Sequence, residues 1–335
     1  MSASPRLLVV KTSSLGDVIH MLPALSDAAQ ALPALQADWL VEASFAAIPA
    51  WHRAVGRVIP LAMRRWKQQW TQASAWREAA AVRARLRAQR YEFVVDTQGL
   101  VKSAVWARMA RGVRCGYDRA SAREPLAAHF YDQRFGVPRD LHAVERNRRL
   151  LALALGYGQP AGAPDYGLQG LSARLRQQAG FATALPRLPG HYVVGLHGTS
   201  RADKEWPQGH WVLLAQTLAA AAYPLLLPWG NEHEHQRAQQ IAQAAPGTLV
   251  LPALGLDAMA CVIDGSAAVV GVDTGLMHLA AALGKPGLAL YTATRAARTG
   301  AVSDRHARAA LRNCEAPDDL HAEAVIVAML RLLAA

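Results

Sequence analysis

The chain holds three cysteines in 335 residues, Cys115, Cys261 and Cys314, and no Cys-x-x-Cys pair. An odd number of widely separated thiols excludes a disulfide framework and a zinc ribbon, and suits a reducing compartment. No uncharged apolar stretch approaches the ~18 residues that a membrane-spanning helix needs. The opening MSASPRLLVVK has too short an apolar run for a signal peptide. Neither Gly-x-Gly-x-x-Gly nor a P-loop pattern follows an expected strand, so redox-dinucleotide and P-loop chemistry lose support. Negative charge is also scarce: 25 Asp plus Glu stand against 36 Lys plus Arg, a formal net charge of +11. That balance favours an anionic partner, whether nucleic acid, a phospholipid surface or a phosphorylated substrate.

What is present is core. Hydrophobic residues make up 52% of the chain, and its length suits two domains at ~100–200 residues each. Short apolar runs alternate with helical patterns. RLLVV, ADWLVE, VGRVIPLA and YEFVVDTQ read as strands, with VIHMLPALSDAAQAL and SAWREAAAVRARLRAQR as helices among them. A Gly/Pro-rich stretch between Gly156 and Gly190 reads as the connection between domains. The alternation then restarts at HYVVGLHG and runs through AAVVGVD and KPGLALY. The expected fold is α/β: two doubly wound parallel sheets in tandem, with a cleft implied between them. Ligands in such sheets bind beyond the carboxyl ends of the strands. The loops KTSSLGD, DTQGLVKS, HGTSRADKEW, PWGNEHE and VDTGLMH, each following a predicted strand, are therefore the informative ones.

Asp17 in KTSSLGD is a lone carboxylate at a strand-to-helix turn, suited either to receiving a proton in a group transfer or to capping the helix. In VDTGLMH, Asp273 ends a strand, and Thr274 and Gly275 open a helix. Free N–H groups there favour a diphosphate, although a plain N-cap explains the same residues. Thr199 and Ser200 offer hydroxyls and Lys204 a mobile cation; a solvated loop is the plainer alternative. Glu234 sits near a helix start, where it either accepts from a ribose or caps the helix. His233 and His235 are two apart and do not share a helix face, so no metal site is expected there. RRWKQQW interleaves cations and indoles, as a phosphate, membrane-interface or single-strand nucleic-acid contact does, and as a solvated basic face does. Lys102 and Arg123 add positive charge.

Taken together, KTSSLGDVIHMLPAL, WHRAVGRVIPLAMRRWKQQW, DTQGLVKS, AREPLA, HAVERN, HGTSRADKEWP, LPWGNEHE and VDTGLMHLAAALGKP resemble the bacterial ADP-heptose:lipopolysaccharide heptosyltransferases, in order and over nearly the whole chain. The resemblance is greatest to the branch that adds the first heptose of the inner core. It implies the GT-B architecture, two Rossmann-like domains. Residues 1–170 would take the acceptor and 171–316 the ADP-heptose donor, while 317–335 would form a helix packing back toward the first domain. By the same resemblance Asp17 is the base. The donor residues are Thr199, Ser200, Lys204, Glu234, Asp273, Thr274, Gly275 and His278, with Leu254 lining the adenine pocket. Ser14, Gly16, Arg64, Arg65, Lys67, Lys102 and Arg123 serve the anionic acceptor. The implied reaction is an inverting transfer of heptose from ADP-heptose to Kdo-lipid A. No cofactor is expected, and no metal, because no Asp-x-Asp occurs to hold one. A cytoplasmic monomer in peripheral contact with the inner membrane, and not a nucleic-acid binder, is the expectation. A transferase for a later core heptose, a sugar-nucleotide hydrolase or epimerase, and a basic nucleic-acid-binding module are the alternatives. One segment departs from the family: where a Gly-Pro-Thr-Asp-Pro block is expected after GLALY, this chain has TATRAARTGAVSDRHA, residues 292–307.

Overall fold

The run Leu7 to Val10 is buried at every residue, because β1 (Arg6–Val10) is a central strand covered on both faces. The computed structural model describes residues 5–178, 181, 185–199 and 201–334. They fall into two units, Met1–Gly167 and Leu168–Ala335.

In the first unit β1 is joined by β2 (Gln36–Glu42), β3 (Val55–Leu61), β4 (Arg90–Asp96), β5 (Arg111–Tyr117) and β6 (Gln133–Phe135) in the order β3-β2-β1-β4-β5-β6. Every neighbouring pair in this sheet is parallel. Leu8 and Val10 pack on one face with Val82 and Leu86 of the helix Ala73–Ala88 and with Ala107 of the helix Val101–Met109. Leu7 and Val9 take the opposite face by the two-residue period of a strand. In the second unit β7 (Val193–Leu196), β8 (Leu225–Leu227), β9 (Leu249–Val250), β10 (Ala268–Val272), β11 (Gly287–Leu290) and β12 (Leu311–Cys314) form the order β12-β11-β10-β7-β8-β9. Counted within each unit, both sheets have the doubly wound order 3-2-1-4-5-6. The direction of winding reverses between β1 and β4 in one and between β7 and β10 in the other, and those crevices are where such sheets receive ligands.

The long helix expected over VIHMLPALSDAAQAL is two helices. α1 (Leu15–Ile19) stops at His20, and α2 (Leu22–Ala31) restarts with Pro23 in its first turn, where a missing N–H costs nothing. Next come α3 (Ala47–Trp51), α4 (Met63–Gln68), α5 (Ala73–Ala88), α6 (Val101–Met109) and α7 (Ala143–Leu155). α7 packs on α2, and there Arg148, which is 1% exposed, makes ion pairs with Asp27 and Glu145, each at 2.7 Å. The second unit holds α8 (Leu171–Arg176), α9 (Gln208–Ala220), α10 (Glu232–Ala244), α11 (Leu256–Gly265), α12 (Gly275–Ala282), α13 (Ala296–Thr299) and α14 (Ala322–Ala334). The closing helix α14 contributes Val325 and Met329 to the second unit's core beside Trp206, Trp211, Val270 and Leu288.

Candidate active site

In the first unit the loops after β1 and β4 are tied together by amides. Asp96 ends β4 fully buried; its Oδ1 accepts from the N–H groups of Gln98 (2.8 Å) and Gly99 (3.4 Å), and its Oδ2 from the Ser103 and Tyr131 hydroxyls, both at 2.8 Å. Burial pushes the Asp96 pKa up, against the pull of those donors. The turn it fixes presents Gln98, whose Oε1 accepts from Thr12 N (3.0 Å) and Ser13 N (3.3 Å) while its amide donates to Ser13 O. The 12–14 segment is thereby held from outside, and Asp17 stands on its far end.

Asp17 is four-fifths covered, and its three contacts all fall on Oδ2: Ser14 N at 3.0 Å, Ser14 Oγ at 3.2 Å and the Arg123 guanidinium at 3.7 Å. Oδ1 has no hydrogen-bond partner among the described residues. The side chain bonds back to Ser14, the residue before the helix, and its second oxygen is left without a hydrogen-bond partner among the described residues. Burial alone would raise its pKa. Lys11, then Arg123 and the two Ser14 bonds outweigh that, holding the carboxyl below its ordinary value. α1 has only five residues, so side-chain cations rather than a long helix's dipole keep Asp17 ionised. Lys11 itself is 5% exposed, donates to Thr97 O at 2.9 Å, and has its pKa lowered by burial, with Asp17 opposing. Arg146, lying 4.6 Å over the Tyr117 ring, also acts on Lys11.

The other acceptor-side residues scatter. Gly16 is buried within α1. Lys102 is exposed in the first turn of α6 and makes no ion pair among the described residues. Arg64 and Lys67 are exposed on α4, Arg64 standing 5.5 Å from the centroid of Phe45. Arg65 is already spoken for by Glu78 of α5, at 3.1 and 2.6 Å. Trp66 donates to the same carboxylate at 2.8 Å and packs 5.9 Å from Trp106, so it is not the surface indole that RRWKQQW suggests. Trp70 is, at 66% exposed, and it has a companion the sequence reading missed, Trp76, equally exposed, whose indole donates to Trp70 O at 2.8 Å.

The second unit gathers its residues more tightly. At the end of β10, Asp273 Oδ2 accepts from Lys204 Nζ at 2.7 Å and from Thr294 Oγ1 at 2.7 Å. Burial raises the Asp273 pKa, but the bonds from Lys204 and Thr294 outweigh it and leave the carboxyl below its usual value. The Thr199 hydroxyl reaches the Asp273 carbonyl at 3.5 Å. Thr274 is the N-cap of α12 but makes no side-chain cap bond, so the first-turn N–H groups from Gly275 onward are placed for an anion. His278 is buried one turn on and acts electrostatically on Asp273. Glu234, in the first turn of α10, accepts from Gly230 N at 2.7 Å. Its carboxylate packs against the Gly198 backbone, where a Cβ would lie 2.5 Å from Glu234 Cδ. Only glycine admits that approach of carboxylate to the end of β7. Leu254 is half-buried in the loop after β9. Ser200 lies outside the described residues. Among the described residues no three His, Cys, Asp or Glu side chains gather as for a metal ion.

The loop expected to serve the donor is contacted at both ends by Arg237, which the sequence reading passed over inside HEHQRAQQ. From α10 it donates to His197 O at 3.4 Å and to Trp206 O, and pairs with Glu205 at 2.8 Å, bracketing the segment that carries Thr199 and Lys204. Lys11 and Gln98 were also missed, although both lie inside quoted loops. Their signal was a Lys and a Gln directly after buried strands, where little but a buried partner explains them.

Residues 79–325 match the model of glycosyltransferase family 9 (heptosyltransferase). The chain is 47% identical over 290 residues to lipopolysaccharide heptosyltransferase 1 of Escherichia coli strain K12, covering 86% of this chain and 88% of that one. It is similar to the solved structure of E. coli heptosyltransferase WaaC with ADP, with a TM-score of 0.88 and 43% identity over 98% of this chain and 99% of that one. A second structure of WaaC, with ADP-2-deoxy-2-fluoro heptose, gives a TM-score of 0.84 at 43% identity over 97% and 99%.

Proposed function

This chain belongs to glycosyltransferase family 9, the heptosyltransferases, and on that premise we propose that it moves a heptose from ADP-heptose to a Kdo sugar of Kdo-lipid A, the first heptose of the lipopolysaccharide inner core. It is an ADP-heptose-dependent glycosyltransferase with the two Rossmann-like domains of the GT-B architecture. The observation that carries the mechanism is the Asp17 carboxylate, anchored through Oδ2 alone and kept ionised by Lys11 and Arg123.

The acceptor hydroxyl attacks the anomeric carbon as the bond from that carbon to the diphosphate breaks, which inverts the centre. The hydroxyl proton passes to Asp17 Oδ1, and ADP carries away the bonding pair. A carboxylate with a lowered pKa is a weak base. It suffices when the proton moves late, after bonding to carbon has made the alcohol acidic. On the donor side, Lys204 uses one of its three N–H bonds on Asp273, which leaves two for phosphate oxygens. With the uncapped start of α12 it stabilises the leaving ADP. Glu234, beside Gly198, accepts from the ribose hydroxyls.

The acceptor's lipid places the enzyme at the cytoplasmic face of the inner membrane. No helix among the described residues is long and apolar enough to cross a membrane; contact is made instead by α4, the start of α5 and the turn joining them, a stretch that exposes Trp70 and Trp76 together with Arg64, Lys67 and Arg77. Indoles beside cations suit an anionic interface. Burying half of one indole, roughly 100 Å², is worth about 2.5 kcal/mol. Trp70→Ala with Trp76→Ala should therefore weaken binding to anionic vesicles at least tenfold in co-sedimentation; undiminished binding removes this turn from the interface.

The test of the acceptor assignment is a comparison of Kdo-lipid A with the same acceptor already carrying one heptose. Transfer to the first alone is expected, and transfer to the second alone identifies the enzyme of a later step.

A further inference from the structure

The segment that departs from the family, 292–307, reaches the donor-side carboxylate through one hydroxyl. Thr294 Oγ1 donates to Asp273 Oδ2 at 2.7 Å, and Lys204 Nζ donates to the same oxygen at the same distance. Two donors on one oxygen fix the rotation of the carboxylate, and with it the direction of Oδ1, which has no hydrogen-bond partner among the described residues. Lys204 alone cannot do this while serving a diphosphate, because its long stem turns with the anion it follows. Thr294 sits on a short anchored stretch. Tyr291 before it is 3% exposed and its hydroxyl accepts from Ala301 N at 2.8 Å, Thr292 donates to Asp203 O at 3.2 Å, and Ala296 N after it donates to Glu315 at 2.8 Å. The hydroxyl is thus presented from a fixed backbone, and Thr292 ties that backbone to the 202–204 turn that carries Lys204.

We propose that Thr294 is a positioning residue for donor use: it locks Asp273 so that Oδ1 points at a hydroxyl of the bound sugar nucleotide and Lys204 keeps two N–H bonds for the diphosphate. This deepens the heptosyltransferase reading and rests on it. The divergent loop is on this account a working part of the donor site.

The test is a double-mutant cycle read by ADP-heptose binding in calorimetry and by donor kcat/KM. Thr294→Val keeps shape and removes the hydroxyl, and is expected to lower donor kcat/KM about tenfold, the scale of one hydrogen bond to a charged group. Thr294→Ser restores most of that loss. In an Asp273→Asn background, Thr294→Val should add less than about twofold, since the hydroxyl acts through the carboxylate. A Thr294→Val enzyme with unaltered donor kcat/KM overturns the proposal. So does an equal loss in Thr294→Ser, or a full tenfold loss on top of Asp273→Asn, since either makes the loop a mere structural support. Wild-type protein that fails to bind ADP-heptose overturns the functional reading itself, and the lock with it.

Discussion

Asp17→Asn should lower acceptor-dependent transfer by roughly 10²–10⁴-fold, the usual contribution of a well-placed base, while leaving ADP affinity within about twofold. The amide retains an oxygen for Ser14 N, so the loop keeps its anchor, and the residues assigned to ADP all belong to the other unit. What disappears is the proton acceptor and the carboxylate that lies 3.7 Å from Arg123. Lys11→Met separates the electrostatic part from the chemical part. In the wild type the Asp17 carboxyl lies below its usual range, so the acid limb of kcat/KM lies below it too. Removing the Lys11 charge leaves the burial penalty opposed by Arg123 and Ser14 only, and the limb moves up. The loss in Lys11→Met therefore grows as pH falls and is least near neutrality. An acid limb that stays put shows that Lys11 does not sustain the Asp17 anion, and an Asp17→Asn enzyme with full turnover removes the base.

Lys204→Ala should lower donor kcat/KM by about 10- to 100-fold, as expected when a charge-assisted contact worth ~1.5–3 kcal/mol is lost. Two consequences combine. The diphosphate loses its cation, and Asp273 is left mostly covered with only Thr294 to hold it. Its pKa should rise, because burial, the largest influence on it, acts upward and loses the opposing bond from Lys204. The Lys204→Ala defect should therefore deepen at low pH, whereas acceptor KM holds. Steady-state kinetics with the donor varied checks this; an unchanged donor kcat/KM takes Lys204 out of the site.

The strand positions were legible because parallel strands buried on both faces leave unbroken apolar runs, as Leu7–Val10 and Val269–Val272 do. The chemistry at their carboxyl ends was legible for the same reason: Asp17, Lys204 and Asp273 are polar residues directly after such runs or in the loops that follow. What the pattern did not disclose is partnership across long sequence separations. Gln98 holds Ser13 from 85 residues away, Thr294 holds Asp273, and Arg237 reaches back 40 residues to His197. Periodicity carries no information on such contacts. The basic block misled in a particular way: Arg65 and Trp66 looked available, but Glu78 on the next helix takes both. The break ahead of Pro23 was missed because the apolar period runs through it, although proline favours a first turn over a helix interior. The short strands β6 and β12, of three and four residues, offered too little run to be seen.

In the proposed mechanism one unit presents an acceptor hydroxyl to Asp17 while the other holds the nucleotide diphosphate of the donor. The measurement that reaches it most directly is the time course of ADP release from ADP-heptose, followed with and without Kdo-lipid A. The account predicts release that depends on the acceptor and matches heptose incorporated mole for mole. Equal release in its absence, with free heptose as product, would mean that water is the true acceptor and that no transferase site has been described.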